Sequence, residues 1–222
     1  MRPAGERVNG IIRILRRKYR RPRTALKHDS PFHLLIATIL SAQCTDERVN
    51  KITPVLFGKY KTVNDFAKAG QASLEKDIRS TGFYRNKAKN IIAASKKITA
   101  DFKGRVPDTM EELVTLPGVA RKTANIVLSG SFGKAEGIAV DTHVKRLSER
   151  LGLSGHKNPD KIEKDLMGIV AKKDWLDFNY LLVNHGRSTC MARKPLCPDC
   201  PIKDLCPSAV KYYPKTRKRI TS

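Results

Sequence analysis

Four cysteines crowd toward the C-terminal end of the chain, Cys190, Cys197, Cys200 and Cys206, in the spacing C-x6-C-x2-C-x5-C. Thiolates grouped this tightly suit either a tetrahedral zinc ion or an iron–sulfur cube. Structural zinc often uses two separate short knuckles. Only one C-x2-C occurs here, and the outer thiols reach it across unequal loops, a span that favours the larger cluster. Such usage belongs to a reducing compartment rather than to a secreted disulfide scaffold. The loop between the first two cysteines holds Arg193 and Lys194, and ligation would pin it so that both cations face phosphates. A fifth thiol, Cys44, is expected in the central apolar helix as a packed core residue.

A second set of residues with chemical potential lies in Leu113-Val114-Thr115-Leu116-Pro117-Gly118-Val119-Ala120-Arg121-Lys122-Thr123-Ala124. Leu113 and Leu116 close one helix, Pro117 and Gly118 make a tight turn, and Ala124, Val127 and Leu128 begin the apolar face of the next. Backbone N–H groups of such a hairpin, with Gly118, Ala120 and Arg121 at its bend, form an anion site that grips phosphate without reading a base. The plainer reading is a helical corner that merely packs. Lys122 falls in the first turn of the second helix. Partial desolvation and the helix N-terminus would both lower its pKa and make the amine a nucleophile able to form a Schiff base; the ordinary alternative is a solvated lysine or a phosphate contact. Asp141, between Ile138-Ala139-Val140 and Thr142-His143, is expected to cap a helix starting at Thr142. A carboxylate there can also orient water, move protons or stabilise developing positive charge. His143 reads as a structural residue.

The elements that must position these groups are helical. Period-two alternation is rare and helical spacing common, so the chain reads as all-α. Helices are expected at about 5–20, from Pro31 through a run apolar nearly all round to Ala42, and at about 46–57, 62–68, 71–80 and 85–102. The last of these has Ala88, Ile91, Ile92, Ser95 and Ile98 on one side and lysines on the other. Thr109 and Glu112 suggest a capping box for a helix to about Thr115, and further helices follow at about 120–131, from Thr142, at 158–171 and at 175–186. The 222 residues carry 44 Lys and Arg against 21 Asp and Glu, a formal charge of +23 that points to a polyanionic partner. No stretch approaches the roughly 18 apolar residues a membrane helix needs, and no apolar signal core opens the chain, so a membrane role and export are not expected.

With these pieces assembled, the chain resembles the endonuclease III family of the helix–hairpin–helix DNA glycosylase superfamily from about Ile11 to Cys206. The markers are Leu40-Ser41-Ala42-Gln43 with Thr45-Asp46, the segment Thr81-Gly82-Phe83-Tyr84-Arg85-Asn86-Lys87-Ala88, the hairpin, Val140-Asp141-Thr142-His143, and His185-Gly186-Arg187 before the cysteines. The cysteine spacing matches that family's [4Fe-4S] motif. The resemblance implies a base excision repair glycosylase and AP lyase acting on oxidised pyrimidines in damaged double-stranded DNA. Lys122 would attack C1′, Asp141 would serve as the essential acid, and Gln43 and Phe83 would fill the space left by the extruded base.

It further implies two all-α domains. A helical barrel with the hairpin would cover 24–135, a cluster domain would join 1–23 with 136–210, and a basic tail would cover 211–222; the first helix and the cysteine end should meet. A monomer acting in the cytoplasm or nucleoid follows. The chain departs from the family pattern twice. Ala120 stands where a second hairpin glycine is usual, and Phe83 where a leucine is usual. The competing readings are a non-catalytic DNA-binding protein, which leaves Lys122 and Asp141 as coincidence, and a relative specialised for mismatched bases or uracil.

Overall fold

The fold is built from helices whose apolar stripes face two separate cores. The computed structural model describes residues 3–20 and 22–212, and no strand occurs among them. The basic tail from 213 onward, and Arg21 of the first basic run, lie outside the described residues. Two compact units emerge: Thr24–Glu136, and the described part of Met1–Arg23 together with Gly137–Ser222.

In the unit Thr24–Glu136, α2 (Pro31–Leu40) is the central element. Ser30 caps it by accepting from the His33 N–H, and Pro31 occupies its first position, where the missing N–H costs nothing. Every residue from Phe32 to Leu40 except His33 is buried. A buried leucine or isoleucine contributes about 1.5–3 kcal/mol, so this helix anchors the unit. Around it pack α3 (Asp46–Lys59), α6 (Tyr84–Asp101), α8 (Arg121–Val127) and the π-helical turn Leu128–Phe132. The short helices α4 (Val63–Ala67) and α5 (Gln71–Ile78) lie against α6. The helix α7 (Met110–Leu113) precedes the hairpin.

The second unit has its own core of Val8, Ile11, Ile12 and Leu15 from α1 (Ala4–Lys18), with Val144 and Leu147 from α9 (Thr142–Arg150), Ile162 and Leu166 from α10 (Pro159–Ile169), and Phe178, Leu181 and Leu182 from α11 (Trp175–Ser188). The first helix meets the cysteine end directly. Arg7 is buried and its guanidinium donates to the carbonyls of Leu151 and Leu205, at 2.7 and 2.8 Å. Arg16 is held by Asp174 and in a bidentate pair by Asp177, so this member of the first basic run serves the fold. A short helix, α12, covers Ala209–Tyr212.

Several expectations need correction. Cys44 is not in the central helix: α2 ends at Leu40, and Cys44 sits half-buried in the following turn, packed against the core. The box at Thr109 is half formed. Its hydroxyl accepts from the Glu112 N–H, but the Glu112 carboxylate accepts from that same hydroxyl instead of returning to the backbone. Lys87 departs from the solvent-facing lysines of α6 and is buried.

Candidate functional site

The hairpin between α7 and α8 is made by a turn closed from the Val119 N–H to the Leu116 carbonyl, with Pro117 and Gly118 at its centre. Gly118 has φ +78°, and a Cβ built on it would lie 2.8 Å from Asn90 Cβ. Both facts demand glycine. Leu113, Leu116 and Val119 are buried beneath the turn, while Gly118, Ala120, Arg121 and Lys122 face solvent. Ala120 stands before α8 with φ −90°, a conformation any residue adopts, so the missing second glycine costs no backbone strain. Its side chain cannot accept a hydrogen bond, so it leaves the first-turn N–H groups of α8 uncapped from that position.

Lys122 is exposed in the first turn of α8. The desolvation expected to activate it is therefore absent from the protein alone. Beside the hairpin, an open cavity of about 210 Å³ is lined by Thr38, Ile39, Ala42, Gln43, Phe83, Asn86, Lys87, Asn90, Gly118 and Thr123. Gln43 and Phe83 both enter the left-handed region, at φ 54° and 48°, and both are exposed; Phe83 is 62% accessible. Side chains other than glycine hold this conformation only where the surroundings impose it. Lys87 donates to the carbonyls of Leu40 and Thr81, each at 2.8 Å, and burial pushes its pKa down.

In the other unit, Asp141 caps α9: its Oδ1 accepts from the Val144 N–H at 2.8 Å, and the residue is half-buried. The apolar run Ile138 to Val140 before it is buried. Where α9 approaches α11, Gly186 permits the contact, since a Cβ there would sit 2.9 Å from both His143 Nδ1 and Arg146 Nη2. His143 packs at this contact, with its Nδ1 3.2 Å from Arg146 Nη2.

The four cysteines are free and partly buried, and they line one narrow cavity whose walls include Leu147, Leu151 and Ile202. Among the described residues no three potential ligands converge as they would on a single ion. Four partly buried thiols around one apolar space are a donor set that suits a [4Fe-4S] cluster. Two side-chain nitrogens lie beside the sulfurs. Arg150 Nη1 lies 3.3 Å from Cys190 Sγ, and His185 Nε2 lies 3.5 Å from Cys200 Sγ. Burial pushes His185 down to about 4, so its ring is neutral near pH 7. The Tyr19 hydroxyl lies 3.1 Å from its Nδ1. With Tyr19 as donor to Nδ1, the Nε2 proton points to sulfur. Burial likewise raises the Cys200 thiol to about 11 and raises Cys206, so cluster formation must displace those protons.

The loop that carries Arg193 and Lys194 is held at its base. Arg150 donates to the carbonyls of Met191 and Ala192, and the Leu196 N–H donates to Thr189 O. Arg193 and Lys194 are both exposed, and Lys194 takes φ 50°. Sequence reasoning missed the supports Lys87, Arg150 and Arg146, the last of which donates to the carbonyls of Gly186 and Cys190. The i,i+4 spacing of Arg146 and Arg150 puts them on one face of α9, a signal that was available.

Residues 36–172 match the family model described as HhH-GPD superfamily base excision DNA repair protein, and residues 190–206 match the iron–sulfur binding domain of endonuclease III. The chain is 53% identical over 204 residues to Endonuclease III of Synechocystis sp. (strain ATCC 27184 / PCC 6803 / Kazusa), covering 92% of this chain and 93% of the relative. It is similar to the protein in a trapped Endonuclease III–DNA covalent intermediate, with a TM-score of 0.90 and 42% identity over 95% of this chain and 99% of that one. A non-covalent Endonuclease III–DNA complex matches with a TM-score of 0.89 and 42% identity, over 95% and 98% of the two chains.

Proposed function

This chain belongs to the HhH-GPD superfamily of base excision DNA repair proteins, in its endonuclease III branch, and we propose that Lys122 is the nucleophile of its DNA glycosylase and AP lyase reaction. The observation that carries the reading is the likeness, over nearly the whole chain, to a protein trapped in covalent linkage to DNA, together with an exposed lysine in the first turn after the hairpin.

On this reading the partner is damaged double-stranded DNA, and the hairpin grips a phosphate while Gln43 and Phe83 enter the duplex. The neutral Lys122 amine attacks C1′, and the electron pair of the N-glycosidic bond leaves with the base. Contact with DNA would cover this side chain, which solvent surrounds in the free protein. Asp141 accepts the proton lost by nitrogen and steadies the positive charge that develops at C1′. Ring opening, with the proton held by Asp141 passing to O4′, gives the Schiff base; loss of a C2′ proton to solvent water then expels the 3′ phosphate with the C3′–O electron pair, and the strand is cut on the 3′ side. Oxidised or ring-saturated pyrimidines are the substrate class, a choice that rests on the family resemblance.

The [4Fe-4S] cluster, held by Cys190, Cys197, Cys200 and Cys206, cross-links the loop that presents Arg193 and Lys194 to phosphates. None of the steps above draws on it. The protein acts as a monomer inside the cell, where thiols stay reduced. No helix among the described residues is long and apolar enough to cross a membrane.

The test is the chemistry of the cut ends on duplex DNA containing thymine glycol. The expected product is a nicked strand ending in an unsaturated aldehyde, formed without alkali. Strands cut only after alkali would make the enzyme monofunctional, and intact bases would leave a binding protein.

A further inference from the structure

Gln43 and Phe83 belong to different loops, one following α2 and one preceding α6, and both hold a left-handed backbone that their side chains disfavour. Something must hold each loop in place. In the first, Leu40 ends α2, the Ala42 N–H donates to Ile39 O, and the Cys44 N–H closes on Ser41 O. In the second, Thr81 ends a 3-10 turn with its hydroxyl on Ile78 O, and Gly82 follows at φ +69°. The two loops are joined by one side chain. Lys87, 4% accessible, donates to Leu40 O and Thr81 O, three residues before Gln43 and two before Phe83. The Leu40 carbonyl sits at the end of α2, where carbonyls lack helical partners and a cation is favoured. All three side chains line the same cavity beside the hairpin.

Resting on the duplex-entry reading above, we infer that Lys87 is a positioning residue: its ammonium clamps the two loops together so that Gln43 and Phe83 enter the base stack as one rigid pair. The clamp has no part in bond making. A neutral side chain of equal length would leave two buried carbonyls without a donor and free each loop to relax from its left-handed residue. The pair would then reach the duplex with its spacing undefined, and misplacement of such groups by about 1 Å costs up to roughly a hundredfold in rate. A single-stranded substrate has no stack to enter and no orphaned partner base, so it should be indifferent to the clamp.

The experiment compares single-turnover borohydride trapping on an abasic site in duplex DNA and in a single strand. Wild type, Lys87→Met, the double variant Gln43→Ala/Phe83→Ala, and the triple variant are measured, with melting temperature and cluster absorbance checked for each. Lys87→Met is expected to slow the duplex reaction about tenfold or more and to leave the single-strand reaction within about twofold. In the double-variant background it should add nothing further on duplex. Equal slowing on both substrates, or a full additional loss in the triple variant, overturns the inference and makes Lys87 an ordinary core support. Should Lys87→Met not fold, Lys87→Arg is read in the same way: a smaller loss confined to duplex upholds the clamp, and an equal loss on both substrates overturns it. Absence of any wild-type adduct on the duplex would instead strike at the nucleophile reading, so the two failures are distinguishable.

Discussion

Replacing Gly118 by alanine adds one methyl group at the apex of the hairpin, and the structure gives its consequences twice over. At φ +78° an alanine meets its own backbone, which costs about 1–2 kcal/mol. The new Cβ would also lie 2.8, 2.9 and 3.0 Å from Asn90 Cβ, Nδ2 and Cγ, the first of these belonging to the base of a helical side chain that cannot swing away. Forcing such an overlap costs about 1–3 kcal/mol. The sum centres on about 3.5 kcal/mol, which at about 2–4 °C per kcal/mol for a chain of this size lowers the melting temperature by roughly 7–14 °C. The assay is thermal unfolding followed by helical circular dichroism, run as a double-mutant cycle with Asn90→Gly, which removes all three close atoms. Asn90→Gly alone should cost roughly 0.3 kcal/mol in helix propensity, since asparagine is itself a poor helix former. The double variant should be less destabilised than the sum by about 1–3 kcal/mol, while the left-handed strain persists. Additive losses would show that Asn90 is not the wall against which the turn is packed. A Gly118→Ala protein within about 0.5 kcal/mol of wild type would refute the conformational reasoning as well.

Asp141 allows its cap and its chemistry to be separated: Asp141→Asn keeps an N-cap oxygen and should leave stability within about 0.5 kcal/mol while lowering turnover by about 10²–10⁴-fold, whereas Asp141→Ala should lose about 1 kcal/mol as well. Chemical denaturation beside single-turnover cleavage reads both, and equal activity of wild type and Asn variant would leave Asp141 a cap alone. Arg193→Ala and Lys194→Ala should each weaken binding to any DNA sequence and reduce the slope of log affinity against log salt by about 1; an unchanged slope would remove the loop from the interface. Gly186→Ala, whose Cβ meets His143 Nδ1 and Arg146 Nη2 at 2.9 Å, should destabilise by about 1–3 kcal/mol, measured by denaturant unfolding.

Much of this was legible in the sequence because local rules and burial agreed. Ser30-Pro31 opens α2, Asp141 caps α9, and the Pro117-Gly118 turn is closed by the Val119 N–H, each a short-range effect set by the residue itself. The failures have physical causes. Cys44 was assigned to α2 because apolarity continues past Leu40, but the chain turns there, and hydrophobic pattern alone does not mark where a buried helix ends. Lys87 was grouped with its solvated neighbours although it precedes Ile91 by four and Ala94 by seven residues, which places it on the buried face. Its type outweighed its position; only the two carbonyl acceptors, from Leu40 and Thr81, explain why a lysine sits there. Lys122 was expected to be desolvated, yet spacing cannot report exposure, and the side chain lies open to solvent. The number and spacing of the thiols pointed to a metal site and favoured the larger cluster, and the family resemblance named it, whereas the Arg150 and His185 nitrogens beside them come from separate helical positions with no shared motif.

The measurement that bears most directly on the central claim is borohydride trapping on duplex DNA carrying thymine glycol, with the adduct digested and located by mass spectrometry in wild type and in Lys122→Ala. One covalent adduct is expected, on the peptide containing Lys122, and none from the variant although it still binds the DNA. An adduct at another amine, or an undiminished adduct from Lys122→Ala, would contradict it.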